Sequence, residues 1–248
     1  MRWAPLLAAM LAGLCAAAAA RGETRARAPV RNLLEPVSRL ELHGVEADAV
    51  TYRGRRAVHL RERREAGRAS PETETIAIVP GPEPENGSVE IDLAGEPRAG
   101  AREGARGFVG VAFRVARDAS RFECFYLRPT NGRAPDQLRR NHATQYVSFP
   151  DFPWDLLRKE TPGVYESYVD LVPGEWTRVK IVFEGSKARL YVHGAGQPTL
   201  LVDDLKLPPA PGRIALWIGL DTEAWFSNLA VRTEPLRGGA PLPTPAGR

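Results

Sequence analysis

The sequence has little cysteine, which limits how the chain can be stabilised. Cys15 and Cys124 are the two cysteines among 248 residues. Residues 1–20, MRWAPLLAAMLAGLCAAAAA, join Arg2 to an apolar stretch that ends in alanines, the pattern of a secretory signal peptide. Cleavage after this leader would leave Cys124 alone, so an internal disulfide is excluded and stability must come from core burial. We predict that Cys124 is a buried structural residue, because no His and Asx partners occur at spacings typical of cysteine nucleophiles.

Long apolar runs are absent outside the leader. Within the leader, Pro5 and the many alanines disfavour a permanent membrane helix, as does the polar sequence RGETRARA that follows. Cys15 could carry the acyl chain of a bacterial lipoprotein, but Leu14 precedes it where such signals usually have Gly, Ala or Ser. We therefore expect a secreted or periplasmic protein with no membrane span, and we disfavour lipoprotein anchoring through Cys15.

An excess of charge of one sign is also lacking. The sequence has 34 Lys and Arg residues against 30 Asp and Glu residues, a formal net charge of +4. The arginines are scattered among acids, as in RERREAGR and DQLRRNH, and no nucleic-acid-binding motif accompanies them. The zinc spacing HExxH, the P-loop and the dinucleotide glycine pattern do not occur either. We therefore expect no nucleic-acid partner, and these patterns predict no cofactor.

Segments rich in Pro, Gly and polar residues mark the two ends of the chain. Residues 21–34 are predicted to be a linker, and residues 233–248, TEPLRGGAPLPTPAGR, cannot build a core and are predicted to be a disordered tail. No similar break divides the sequence between them. We therefore predict one domain over residues 35–232.

Short β-like runs recur between turn signals within this domain, among them GSVEIDLAG, GFVGVAFRVA, FECFYLRP, TRVKIVFEG and KARLYVHG. Apolar residues alternate in two of these runs, at Val109, Val111, Phe113 and Val115 and at Val179, Ile181 and Phe183 after Thr177. FEGSKARLYVHG predicts a hairpin with Gly185 and Ser186 at its turn. Because long helical periodicity is absent, the pattern predicts an all-β sandwich.

The order of these runs, together with the blocks GEWTRVKIVFEGSKARLYVHG and WFSNLAV, resembles the concanavalin A-like lectin and glucanase superfamily. More narrowly, it resembles the laminin-G-like jelly rolls of secreted bacterial proteins related to the 3-keto-disaccharide hydrolase domain. The resemblance covers about residues 75–232 and is more specific for fold than for activity. It implies a concanavalin A-like jelly-roll β-sandwich of two curved antiparallel sheets, whose concave face commonly holds sugar.

The first candidate site follows an aromatic strand in RFECFYLRPTNGR, residues 121–133. Tyr126 and Arg128 share one face of this strand by parity. The PTNGR segment that follows stops the strand and turns the chain, so its side chains could point into a cleft. We predict that Tyr126, Arg128, Asn131 and Arg133 bind the ligand. The alternative is an ordinary strand end whose arginines pair with surface carboxylates.

The next stretch, residues 139–171, is a long segment that is too aromatic for disorder and is predicted to pack as a lid. It contributes the ligand-binding candidates Asn141, Gln145, Tyr146, Trp154 and Tyr165. Trp154 is either a stacking platform for the ligand or the plug that holds the segment down. His142 lies in a polar cluster, and we predict that it is a general base or a hydrogen-bond donor.

The acidic run VEIDLAGE resembles the glucanase signature of the superfamily, but its spacing differs. Glu90 and Glu96 are six positions apart, where the family has four or five. At about 3.3 Å per residue they would lie roughly 20 Å apart on a straight strand, far beyond the ~5 to 10 Å between paired glycosidase carboxylates. We therefore predict that the glucanase site is absent if this strand is straight. A bend at Gly95 would shorten the distance between the two glutamates.

Other acids are candidates at different places. Glu166 is a second candidate base, and Trp217 and Asp221 are candidate ligand-binding residues. Both acids have the alternative of a solvated strand or loop position. Ca²⁺ binding stays open, but the sequence offers for it only scattered acids such as Asp203 and Asp204.

Three functional hypotheses follow. The first is an exported domain that recognises a carbohydrate, either a glycan or a glycoside, on its concave face. The second, implied by the resemblance, is a hydrolase or lyase on 3-keto-glycosides, in which His142 or Glu166 removes the acidic C2 proton and Arg128 steadies the enolate. The third is a structural laminin-G-like module for protein contacts, which predicts a flat apolar patch instead of a cleft.

Overall fold

The computed structural model describes residues 28–31, 33–63 and 75–235. The predicted signal peptide, the first part of the predicted linker and most of the predicted tail lie outside the described residues. The described chain forms two antiparallel sheets and a few short helical segments. This architecture is the sandwich that the alternating runs predict.

The strands, in chain order, are β1 (Val30–Arg31), β2 (Glu41–His43), β3 (Val45–Tyr52), β4 (Arg55–Glu62), β5 (Ile76–Val79), β6 (Gly87–Pro97), β7 (Val109–Val115), β8 (Phe122–Leu127), β9 (Thr144–Phe149), β10 (Glu166–Ser167), β11 (Thr177–Glu184), β12 (Lys187–Val192), β13 (Leu200–Val202), β14 (Arg213–Ile218) and β15 (Thr222–Thr233). The helical segments are the 3₁₀ turns Val37–Arg39 and Pro129–Asn131, and the helices α1 (Gln137–Asn141) and α2 (Trp154–Glu160).

Each sheet is built from strands that are distant in the sequence. The first sheet has the order β13-β12-β11-β6-β15-β4-β3, and β1 also pairs with β15. The second sheet has the order β10-β9-β8-β7-β14-β5-β2. Between the sheets, the ring centroid of Phe113 lies 4.7 Å from that of Phe183 on the first sheet and 6.1 Å from that of Phe125 on the second. The core therefore lies between the two sheets.

The predicted alternation is present in β11, where Thr177, Val179, Ile181 and Phe183 are buried and the residues between them are more exposed. In β7, β8 and β9, by contrast, both parities are buried. The chain that follows β9 explains this difference, because Leu157 of α2 is buried in the main core and Trp154 packs against it. The outer face of the second sheet is therefore partly covered. Cys124 in β8 is buried, as predicted.

Two local predictions can be compared with the structure. The predicted hairpin is formed by β11 and β12, and Gly185 at its turn has a φ of +55°, in the left-handed region that glycine adopts easily. The predicted linker needs a correction at its C-terminal part. Val30 and Arg31 pair through their backbones with Val231 and Ala230, so this part of the chain belongs to the first sheet.

Candidate functional site

A row of side chains crosses the outer face of the second sheet. Strand pairing places Trp217, Gly110, Tyr126, Gln145 and Glu166 opposite one another on five neighbouring strands. Neighbouring residues of a strand point to opposite faces. Because Phe125 points into the core between the sheets, this row points outward.

Arg128, which follows β8, is the centre of a buried polar network at the end of this row. Its Nη2 donates to the hydroxyl of Tyr126 at 2.9 Å and to Oε1 of Gln145 at 3.0 Å. Its Nη1 donates to the carbonyl of His142 and to Oε1 of Glu166, both at 3.1 Å. The side chain of Arg128 is only 5% exposed, so these bonds replace nearly all of its contact with water.

Glu166 is held from a second side by α2. Nε of Arg158 donates to Glu166 Oε2 at 3.0 Å, and Nη2 of Arg158 donates to Oε1. The imidazole Nε2 of His142 lies 3.5 Å from Glu166 Oε2. Burial, assisted by the positive charges of Arg158 and Arg128 and opposed by Glu166, holds the pKa of His142 below its ordinary value. His142 is therefore a neutral imidazole at pH 7.

The chain between β8 and β9 builds the rim beside this network. Asp136 caps α1, because its Oδ1 accepts a hydrogen bond from the Arg139 backbone N–H at 2.6 Å. The Arg139 guanidinium Nε donates to Asn131 Oδ1 at 3.0 Å, and Asn131 Nδ2 donates to the carbonyl of His142 at 3.0 Å. These bonds fix the 3₁₀ turn against α1 and hold Arg139 at the rim.

These elements enclose a cavity of about 530 Å³, which we call the arginine-lined cavity. Its aromatic lining consists of Phe108, Tyr126 and Trp154, and its charged and polar lining consists of Arg102, Arg106, Arg128, Asn131, Asp136, Arg139, His142 and Arg158. The guanidinium carbon of Arg128 lies 5.0 Å from the ring centroid of Tyr126, 5.9 Å from that of Trp154 and 6.0 Å from that of Phe108. Flat rings and planar cations therefore share one concave surface.

The structure brings most of the predicted site residues together. Tyr126, Arg128, Asn131, His142 and Trp154 line the arginine-lined cavity. Gln145, Trp217 and Glu166 are buried behind it; Asn141 lines an adjacent recess of about 590 Å³ that also includes Glu166 and His142. Trp154 both lines the cavity and packs against the core, so the structure combines its two predicted roles.

Four predicted site residues lie elsewhere. Tyr146 points into the core, where its hydroxyl binds Glu123, and the Tyr165 hydroxyl donates to Asp204 at 2.5 Å. Arg133 is exposed and pairs with Asp170 through bonds of 2.7 and 2.8 Å. Asp221 is buried outside the cavity lining, and although burial raises its pKa, hydrogen bonds from Arg102 and Arg98 hold that pKa below its usual range. These four residues are bound by other side chains and do not line the cavity.

Four lining arginines and one aromatic residue were missed by the sequence reasoning, namely Arg102, Arg106, Phe108, Arg139 and Arg158. One signal for them exists. Arg106, Phe108 and Gly110 in RGFVG are two residues apart, so they would share one face at the start of a strand. That strand, β7, pairs with β8, which carries Tyr126. Arg139 and Arg158 lie on short helices, within a segment that the sequence reasoning took for an irregular lid.

The first sheet also carries a depression on its outer face. It has a volume of about 1110 Å³ and lies between residues 34–37 and the strands β3, β4 and β15. Two carboxylates line it. Asp92 already accepts hydrogen bonds from Arg55 at 2.8 Å and Asn228 at 2.7 Å, and Glu35 pairs with Arg56 at 3.0 Å. None of the predicted site residues lines this depression.

The acidic run lies on β6 in the first sheet, away from the arginine-lined cavity. In the strand register, Glu90 lies opposite Lys180 of β11 and Glu96 lies opposite Glu223 of β15. The pairing of β6 with β15 continues through Gly95 without a register shift. Neither Glu90 nor Glu96 lines the arginine-lined cavity.

Metal ligands and membrane helices can be assessed only for the described residues. In that part of the chain no group of three or more His, Cys, Asp or Glu side chains is placed to hold a metal ion. Of the acids proposed for Ca²⁺, Asp203 pairs with Lys187 at 3.3 Å and Asp204 with Lys206 at 2.6 Å. Among the residues that the structure describes, no helix has the length and apolarity needed to cross a membrane.

Comparisons with known proteins bear on the fold. No protein-family model and no curated protein matches the chain. A protein of unknown function with a galectin-like fold from Bacillus subtilis has a TM-score of 0.51 at 12% identity, over 86% of this chain and 99% of that one. Carbohydrate-binding module CBM66 from Bacillus subtilis has a TM-score of 0.45 at 14% identity, over 76% of this chain and 95% of that one. Bacillus licheniformis β-glucanase has a TM-score of 0.47 at 12% identity, over 84% of this chain and 99% of that one.

The galectin-like structure and the two antiparallel sheets confirm the predicted jelly-roll β-sandwich. At this identity the similarity concerns the fold alone. The narrower relation to the 3-keto-disaccharide hydrolase domain stays a prediction.

Proposed function

We propose that the arginine-lined cavity binds a carbohydrate. The observation that supports this is the lining itself, in which the rings of Phe108, Tyr126 and Trp154 share about 530 Å³ with Arg128 and Asn131. Sugars present apolar C–H faces and hydroxyl groups, which flat rings and planar polar groups can contact at the same time. The volume lies within the ~300 to 1000 Å³ of small-ligand sites. Action outside the cytoplasm, which the leader predicts, is part of this proposal.

Replacing Trp154 with alanine is expected to weaken sugar binding at least about tenfold, because a ring that stacks on the ligand is expected to contribute ~1.4 kcal/mol or more. The measurement is a glycan array followed by calorimetry on the sugars that bind. Trp154→Phe should retain most of the affinity, since it keeps a ring at the same place. Unfolding midpoints of both variants show whether the fold is intact.

The matched control is Trp176→Ala. Trp176 is also partly buried, but it precedes β11 of the first sheet and contacts Tyr52, with ring centroids 5.7 Å apart. It is absent from the lining of the arginine-lined cavity. If Trp176→Ala removed sugar binding while Trp154→Ala left it unchanged, the site would lie on the other sheet and the proposal would be wrong.

A second candidate function is elimination on a 3-keto-glycoside, and the position of His142 favours it. The ketone makes the C2 proton acidic; His142 would accept this proton, and the resulting enolate would expel the aglycone from C1 as a C1–C2 double bond forms. The lining position and neutral state of His142 suit this role. Glu166 is less suitable, because Arg128 and Arg158 already occupy its oxygens.

This second function predicts a particular pH dependence. The neutral imidazole is the active base, and the pKa of His142 lies below its ordinary value of 6.5. The rate kcat/KM for aglycone release is therefore expected to rise with pH, with an inflection below 6.5, and then to level off. His142→Gln should abolish the release. A rate equal to that in buffer, or an unchanged rate in His142→Gln, would discard this function.

The third hypothesis expects a flat apolar patch for a protein partner. The structure instead has a cavity with five arginines beside Trp154. This lining favours a polar ligand over an apolar protein surface.

A further inference from the structure

The charges around the arginine-lined cavity do not balance. The lining has five arginines, at positions 102, 106, 128, 139 and 158. Among the described residues, the carboxylates that line the cavity or form an ion pair with these arginines are Asp136, Glu166 and Asp221. Five positive charges against three negative charges leave an excess of two. Asp221 is in addition shared with Arg98, which lowers its effect on Arg102.

Arg106 and Arg139 account for this excess. Within the part of the chain that the structure describes, neither forms an ion pair with a carboxylate. Nη1 of Arg106 donates to the carbonyls of Glu103 at 2.5 Å and Ala105 at 2.9 Å. Arg139 donates to Asn131 Oδ1 and, through Nη2, to Thr130 Oγ1 at 3.3 Å. Neutral partners of this kind do not compensate a positive charge.

The two arginines are also neighbours. Both contact Thr130, since its backbone N–H donates to the Arg106 carbonyl at 3.3 Å and its hydroxyl accepts from Arg139. Burial and the positive charges of Arg139 and Arg128 lower the pKa of Arg106, although Glu103 opposes this effect. Arg106 stays charged, because an arginine pKa is far above 7. Both arginines thus line the same cavity, and Thr130 joins the segments that carry them.

Among the described residues, Asp136 is the carboxylate that lines the cavity, so its negative charge must be compared with the positive charges of Arg106 and Arg139. Its Oδ1 is bound to the Arg139 backbone N–H at the start of α1. Glu166 is bound by Arg128 and Arg158 behind the cavity wall. A negative group on the ligand would therefore meet the two arginines without displacing a carboxylate of the protein from them.

We propose that Arg106 and Arg139 bind a carboxylate or sulfate group of an acidic saccharide. This inference rests on the proposed carbohydrate binding at the same cavity and names the class of sugar. A guanidinium has five N–H donors in a planar fork that matches the oxygens of both anions. The aromatic lining would contact the sugar ring while the arginines bind its charge. A neutral sugar would leave the two positive charges uncompensated.

The experiment compares matched ligands by calorimetry with the full chain. The probes are a glucuronate oligosaccharide and its carboxyl-reduced form, and a sulfated galactan oligosaccharide and its desulfated form. At least one acidic probe is expected to bind at least about tenfold more tightly than its neutral counterpart at low salt. This preference should shrink in 0.5 M NaCl, because salt screens exposed charges. The two pairs distinguish a carboxylate from a sulfate.

The variants Arg106→Gln, Arg139→Gln and their combination test the two residues. The double variant is expected to lose the preference for the acidic probe, so that the acidic and the neutral probe bind it with similar affinity. Arg106→Lys with Arg139→Lys keeps the charges and should retain part of the preference. Arg133→Gln is the control, since Arg133 is exposed and is absent from the cavity lining. Unfolding midpoints identify any variant that fails to fold.

The outcomes separate this inference from the proposed function. If acidic and neutral sugars bind equally and the double variant changes neither affinity, the inference is wrong and carbohydrate binding stands. If no sugar binds, both are wrong. If inorganic sulfate binds as tightly as the sulfated sugar, the sugar ring contributes nothing and both are again overturned.

Discussion

Replacing Arg128 with alanine is expected to lower the free energy of unfolding by about 4 kcal/mol, which is the effect of removing one member of a buried ion pair. The side chains of Arg128 and Glu166 are 5% and 3% exposed. The substitution also removes the donor that binds the Tyr126 hydroxyl and Gln145 Oε1, while the His142 carbonyl keeps its hydrogen bond from Asn131. Each buried group that is left without a partner lowers the free energy of unfolding by a further ~1 to 3 kcal/mol. Arg158 reduces the total loss, because it still pairs with Glu166 in the variant. Urea unfolding, followed by tryptophan fluorescence, gives the measurement.

The control for this prediction is Arg133→Ala. Arg133 also pairs with a carboxylate through two bonds, but its side chain is 67% exposed and that of Asp170 is 52% exposed. Exposed pairs contribute little to stability, because water competes for both charges, so we expect a much smaller loss than for Arg128→Ala. Equal losses for the two variants would show that Arg128 does not hold a buried network. Arg128→Lys should be intermediate, since one ammonium cannot reach four acceptors.

The fold was predictable because its signals are local. The alternation in β11 and the glycine turn after it depend only on residues close together in the sequence, and both are found in the structure. The floor of the site was predictable for the same reason. Tyr126 and Arg128 are two residues apart and share a face, and their side chains form a hydrogen bond.

The rest of the site depends on which face each residue of a strand occupies. Gln145 and Tyr146 were both predicted to bind the ligand, but they are adjacent in β9 and so point in opposite directions. Gln145 reaches Arg128, whereas Tyr146 binds Glu123 in the core. Composition favours neither residue for the site. Only the placement of the segment in a sheet decides between them.

The missed arginines have a different cause. Arg106 precedes β7 and Arg139 lies on α1, and they become neighbours because β7 pairs with β8 and the 3₁₀ turn after β8 carries Thr130 to both. A single sequence shows scattered basic residues at these positions. The excess positive charge of the cavity appears only when the register of two strands is known.

Replacing Gly110 with alanine is expected to destabilise the protein by about 3 kcal/mol, at the upper end of the cost of overpacking a core. A Cβ at Gly110 would lie 2.3 Å from the Phe125 carbonyl oxygen and 2.5 Å from Tyr126 Cβ. Tyr126 and Trp217, on the two strands that flank Gly110, meet above it with ring centroids 4.7 Å apart. These two rings can touch because Gly110 has no side chain between them. The measurement is the shift of the urea unfolding midpoint.

Gly196→Ala is the matched control, because a Cβ there meets no atom within 4 Å and its φ is outside the left-handed region. This change is expected to alter stability by less than about 0.5 kcal/mol. Gly110→Ala should also weaken ligand binding, since a displaced Tyr126 no longer orients the Arg128 guanidinium that faces the cavity. If Gly110→Ala were as stable as Gly196→Ala, β7 and β8 could separate without cost. The outer face of the second sheet would then be too loosely packed to hold the arginine-lined cavity in one shape.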